Sequence, residues 1–160
     1  MLNSKAKSLE FLIKYNKLLN IPKFFIITRN DYLKNITKIK KFNAKNDTIL
    51  RSSADNEDKY NLSNAGAYES LILKKNTKKE NILKKLQDFL KQFKSNKDLI
   101  IVQEYIKNVD LSGVIFSSDK NTNASYFNLS YDISGKTNLV TSGVKNITEK
   151  KLVVFKNTRF

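Results

Sequence analysis

Apolar positions recur at roughly helical spacing along residues 4–19 (SKAKSLEFLIKYNKLL), where Leu9, Leu12, Ile13 and Leu19 share a side and Ser4 can cap the start. Pro22 halts helix growth, and residues 23–28 (KFFIIT) have the unbroken apolar character of a buried strand. A short helix is predicted from Asn30 or Asp31 to about Ile39. A turn over 43–47, a short strand over 48–51 and a polar loop over 52–67 follow. Residues 68–73 alternate as a strand. Thr77 is placed to cap a strong helix reaching about Phe93, with Ile82, Leu83, Leu86, Phe89, Leu90 and Phe93 on one face. Strands are predicted over 99–105, 111–117 and 125–131, and weaker ones over 138–141 and 151–155, with turns at 119–123 and 132–136.

This order of elements reads as an α+β fold with mostly antiparallel strands rather than a doubly wound sheet. No internal repeat, heptad pattern or clear linker interrupts it. The longest apolar runs, 24–27 and 99–102, are far shorter than the roughly 20 residues of a membrane span. The opening residues lack the apolar core of a signal peptide, so a cytoplasmic protein with no membrane partner is expected.

The chain contains no cysteine and no histidine. Disulfides, thiolate nucleophiles, zinc–thiolate sites and imidazole general bases are therefore excluded, and any metal must be held by oxygen ligands. The net charge of +15 admits two readings: a polyanionic partner, or lysine-rich solvated faces. The lysines are spread along the whole chain, and Arg29, Arg51 and Arg159 are the only arginines. Arginine is the preferred fork for phosphate, so one arginine at the end of an apolar strand, Arg51, says more than the total.

Two segments could carry chemistry. In ILRSSADNEDKYNLSNAGAYESL (49–71) a strand delivers Arg51 into a loop with Ser52, Ser53, the acidic Asp55, Glu57 and Asp58, and the small residues Ala65, Gly66 and Ala67. Fixed positive charge, hydroxyl donors and a glycine that lets backbone N–H groups come close are what a phosphate chain needs; an ordinary surface loop has a similar composition. Neither GxxxxGK[ST] nor GxGxxG occurs. Gln103, Glu104, Tyr105 and Ile106 end the apolar strand IIVQEY, where exposed backbone groups can meet the edge of a base, or where a strand merely leaves the core.

Taken in order, five segments resemble the N-terminal ATP-binding domain of the phosphoenolpyruvate synthase and pyruvate phosphate dikinase family. They are SKAKSL followed by IPKFFIIT (21–28), Arg51-Ser52-Ser53 with Glu57-Asp58, AGAYES (65–70), VQEYI (102–106) followed by SGVIF (112–116), and VTSG (140–143) after Gly135. The resemblance runs from about Lys5 to Val154. It implies an ATP-grasp-like fold of two α+β lobes, approximately 1–98 and 99–160, with ATP between them and Mg²⁺ bridging its phosphates. It also implies that Lys5 and Arg51 hold phosphate oxygens, Arg51 acting in catalysis. The loop from Ser52 and Ser53 to Gly66 would cover the phosphates. Glu104 and Ile106 would offer backbone groups to adenine, with Gln103 and Tyr105 alongside. The metal ligands stay unassigned.

The chain departs from the family pattern at Asn3-Ser4, where a double glycine precedes the lysine, and at Thr137 and Asn138, in place of a glycine and a glutamate. The family's late segment, which supplies magnesium and γ-phosphate ligands, has no counterpart. The expectation is a domain truncated at its C-terminal end that works with a missing or separate phosphohistidine and acceptor domain and does not turn over alone. The string SYDISGKTNLVTSG (130–143) resembles the version found in relatives from bacterial surface-polysaccharide clusters, among them L-glutamine kinases of capsule phosphoramidate synthesis. A basic nucleic-acid-binding module and a degenerate regulatory nucleotide-binding domain are the alternatives. The first is disfavoured by the lack of an RNP-like signature, a clustered basic helix or a zinc finger.

Overall fold

The computed structural model describes residues 4–15, 17–53, 70–119, 121–137, 140 and 148–156. Among the described residues ten principal elements follow one another: α1 (Lys5–Leu12), β1 (Phe24–Thr28), α2 (Tyr32–Asn43), β2 (Thr48–Ser53), β3 (Leu71–Leu73), α3 (Lys79–Leu90), β4 (Leu99–Glu104), β5 (Ser112–Phe116), β6 (Tyr126–Asp132) and β7 (Glu149–Phe155). The class is α+β, and among the described residues every strand pairing is antiparallel. The chain divides into two units, Met1–Ile106 and Lys107–Phe160. The sequence reading put the division near residue 98. In the structure Leu99–Glu104 is a central strand of the first sheet, so the division follows it.

In the first unit the strand order is β1-β4-β2-β3. The strands alternate sides, as a pleated backbone requires. Ile27, Leu50, Leu73, Ile100 and Val102 project to one side and are buried there with Ile36 and Ile39 of α2 and Ile82, Leu86, Phe89 and Leu90 of α3. The α3 stripe is the one its 3–4 spacing predicts, and Phe93 just beyond it joins the same core. Its start differs from the prediction. Asn76 adopts φ 61°, the Thr77 hydroxyl donates to the Lys74 carbonyl at 2.6 Å, and Lys78 rather than Thr77 occupies the N-cap.

α2 runs on to Asn43, past the predicted end at Ile39, because its inward stripe continues 36, 39, 43 with an asparagine. Asn43 is fully buried. Its Nδ2 donates to the carbonyls of Leu73 and Lys74, and its Oδ1 accepts from Thr77 N–H at 2.9 Å. Burial of the amide is tolerated because its polar atoms are matched, and the result ties α2 to the β3–α3 turn. Asp47 reinforces the tie by accepting from Lys75 N–H. α1 is shorter than expected, giving way to a 3₁₀ turn over Ile13–Tyr15.

The second unit is a three-stranded sheet of order β5-β6-β7. Gly113 pairs with Tyr131, and a Cβ on Gly113 would stand 2.5 Å from the Ser130 carbonyl oxygen, so no side chain fits there. Asp132, at the end of β6, is buried. It accepts from the backbone N–H of Ser134 at 2.8 Å and from the hydroxyls of Ser134 and Thr148. Among the described residues of this unit no apolar side chain is buried. The predicted strand over 138–141 lies largely outside the described residues. Among them, no helix is long and apolar enough to cross a membrane.

Candidate functional site

β2 and β4 are neighbours, and their register decides which predicted residues meet. Arg51 is opposite Ile101, and Gln103 is opposite Ile49 on one flank and Phe24 on the other. Cross-strand partners share a side, so Ile49, Arg51 and Ser53 project from the same face as Leu99, Ile101 and Gln103, away from α2 and α3. Arg51 and Gln103 are therefore diagonal neighbours on one surface. Ile26 and Phe24 of β1 and Ile72 of β3 extend the same face. Arg51 is exposed, whereas Gln103 and Ile101 are buried. Among the described strand residues of this face Arg51 is the one charged side chain.

Ser53 brings a further segment to this face. Its Oγ accepts a hydrogen bond from the backbone N–H of Ala6 at 2.9 Å, in a buried position. The first turn of α1, which begins at Lys5, is thereby held against the end of β2. Ser4 caps that helix as predicted, its Oγ accepting from Lys7 N–H at 3.3 Å. The sequence pattern offered no signal for this link: serine followed by serine at a strand end does not disclose a partner at residue 6.

The remaining predicted residues are distributed less simply. Ser52 pairs with Ile100 and points to the helix-covered side, so its buried side chain lies on the opposite surface from Arg51. Glu104 also belongs to that side by alternation; its backbone N–H donates to the Lys23 carbonyl at 2.9 Å, and Tyr105 N–H donates to the Asp47 carbonyl at 2.9 Å. Ile106 lies beyond the last strand pairings, 54 % exposed. Gly66, with Asp55, Glu57 and Asp58, lies outside the described residues.

Among its described strand residues this face carries the exposed Arg51 beside the buried Ile101, Gln103 and Ser53, and no carboxylate. Among the described residues no group of three or more acidic side chains stands together as a metal site. Compared with family models, with curated proteins and with solved structures, the chain matches none.

Proposed function

We propose that this chain is the ATP-binding part of a phosphotransferase similar to phosphoenolpyruvate synthase, built on an ATP-grasp-like fold. One observation supports it most: residues distant in sequence that the motifs single out, Arg51 and Gln103, stand on one sheet face, and Ser53 fastens the Lys5 end of α1 to that face. In this reading Arg51 and Lys5 neutralise the phosphate oxygens, and the 104–106 strand end receives the adenine. Phosphate then passes from ATP to a histidine. The chain has no histidine, so the phosphate acceptor belongs to another domain, which passes it to the final acceptor. L-glutamine is the acceptor that the 130–143 string favours. Magnesium enters with the nucleotide.

Calorimetric titration tests this. ATP with Mg²⁺ should bind and raise the unfolding temperature. Arg51→Ala should weaken ATP by about tenfold to a hundredfold, the usual worth of a hydrogen bond to a charged group, and leave adenosine unchanged. Equal losses for both ligands would remove Arg51 from the phosphate site.

A second reading, a basic nucleic-acid-binding module, draws on α2. Lys34, Lys38 and Lys41 follow one line along α2 at spacings of 4 and 3, all are exposed, and α2 itself contains no acidic residue, though Lys34 pairs with Asp31 just before it. It requires oligonucleotide affinity that falls steeply with salt. No retention of DNA or RNA at physiological salt would end it.

A further inference from the structure

The two ends of the first unit differ in how their charge is matched. At one end α2 starts and α3 stops, and Asn30 N–H donates to the Asn96 carbonyl. Exposed lysines there face carboxylates: Lys34 pairs with Asp31 at 3.1 Å and Lys91 with Asp88 at 2.7 Å. At the other end α2 stops and α3 starts. Asn76 N–H donates to the Asn43 carbonyl, and the Asn43 side chain bonds to the backbone of Lys74 and Thr77. Residues 40–47 and 74–80 are thus gathered together, and they carry seven lysines against Asp47 and Glu80.

Two of the seven are engaged. Lys40 Nζ donates to the Thr77 carbonyl at 2.8 Å, and Lys74 stands 3.9 Å from the buried Asp47 carboxylate. Glu104, cross-strand from Thr48, brings one further carboxylate to this end. Lys41, Lys45, Lys75, Lys78 and Lys79 are exposed, and among the described residues none of the five forms an ion pair. Lys78 is the N-cap of α3, so the positive end of that helix's dipole adds to their charge instead of offsetting it. Gathered like charges repel and cost stability, and a polyanion relieves that cost. No aromatic side chain of this end is exposed; Phe42 and Tyr105 are half-buried. Single strands are held largely by stacking on aromatics. Arginine, the commonest reader of base edges, is absent from both segments. Lysines without either fit the phosphates of a duplex, contacted without regard to sequence.

We infer that this end of the first unit docks the phosphate backbone of a nucleic-acid duplex, with Lys75, Lys78 and Lys79 of the β3–α3 turn as its main contacts. This rests on the nucleic-acid reading above and moves the contact from the length of α2 to its C-terminal end.

The test uses the full chain and a short mixed-sequence DNA duplex, with binding followed by fluorescence anisotropy through a salt titration. Lys75→Ala/Lys78→Ala/Lys79→Ala is compared with Lys84→Ala/Lys85→Ala/Lys94→Ala, which removes the same charge from other exposed positions. Each phosphate contact is worth about 0.9 in the slope of log K against log salt, so the first triple should lower that slope by about 2–3 and weaken binding about tenfold or more at low salt. The second triple should weaken it less than about threefold, as diffuse charge does. Equal losses would overturn the cluster and leave the nucleic-acid reading standing. No binding by the parent chain at low salt would end both. Preference for a single strand over the duplex would overturn the duplex assignment. Mg·ATP in excess should not displace the duplex beyond its effect as salt; specific displacement would assign these lysines to the nucleotide site. If an alanine triple disturbs folding, glutamine at the same positions, which keeps most of each stem, carries the same comparison.

Discussion

The two units rest on different physics. In the first, two helices cover one side of a four-stranded sheet, and Leu50, Ile100 and Val102 are sealed beneath them. In the second, apolar side chains occupy both surfaces of a three-stranded sheet: Ile115, Leu129 and Leu152 on one, Phe116, Val153 and Phe155 on the other. None of these six is buried; Ile115 is 67 % exposed and Phe155 65 % exposed. The described part of the second unit is therefore held by its hydrogen-bonded ladder, by cross-strand contacts such as Tyr126 against Phe155, with ring centroids 5.4 Å apart, and by aspartates that clamp its turns. A helix-backed sheet draws its stability from hydrophobic burial. A bare ladder of three strands is marginal without a covered face, so every turn and close approach in it counts for more.

Matched truncations would sharpen this contrast most. Leu50→Ala should cost about 2–5 kcal/mol in urea unfolding, the toll of a cavity in a packed core. Ile115→Ala should cost no more than about 0.5 kcal/mol, as for an exposed site. Equal costs would show that the second sheet is as well covered as the first. Next in size is Gly113→Ala. The added methyl meets the Ser130 backbone and should destabilise residues 107–160 by about 1–3 kcal/mol, seen as earlier loss of their amide signals while those of β2 and β4 persist.

The smallest effect is a pH dependence. The hydroxyls of Ser134 and Thr148 hold the Asp132 carboxyl below the usual carboxylate range, and the Thr122 backbone N–H and hydroxyl do the same for Asp119. A depressed folded pKa gives stability that is complete above the ordinary value of about 3.9 and drains as pH falls through the folded value. The second unit should thus soften in acid, and Asp132→Asn should flatten that limb. In the first unit, hydrogen bonds from Thr28 and Lys34 lower Asp31, and one from Lys91 lowers Asp88. The lysine share of those shifts is surface charge pairing, which salt screens. The acid limb of the second unit, set by neutral donors, should survive 0.5 M salt.

Local pattern was the legible part. The α3 stripe, the Ser4 cap and the antiparallel α+β class follow from spacing that a single element carries within itself, whereas the strand after Pro22, expected to be buried, is an edge strand with only Ile27 buried. What spacing cannot carry is partnership. Asn43 reads as a turn residue, and only its bonds to Leu73, Lys74 and Thr77 make it the last buried position of a helix. Ser52 and Ser53 look alike in sequence, yet register sends one to the helix side and the other to α1. The adjacency of Arg51 and Gln103 depends on β4 lying beside β2, which no local signal encodes.

The order β1-β4-β2-β3 also governs assembly. β4 is the last strand of its sheet to be synthesised, yet it sits between β1 and β2 and is their shared pairing partner. Emerging from the ribosome, β1 has no neighbour in the sheet, and β2 only the short β3, until residues 99–104 appear. Closure across such long stretches is entropically slow, and unpaired strand edges are sticky in the interval. Expression yield should therefore respond sharply to anything that delays or weakens that single late strand.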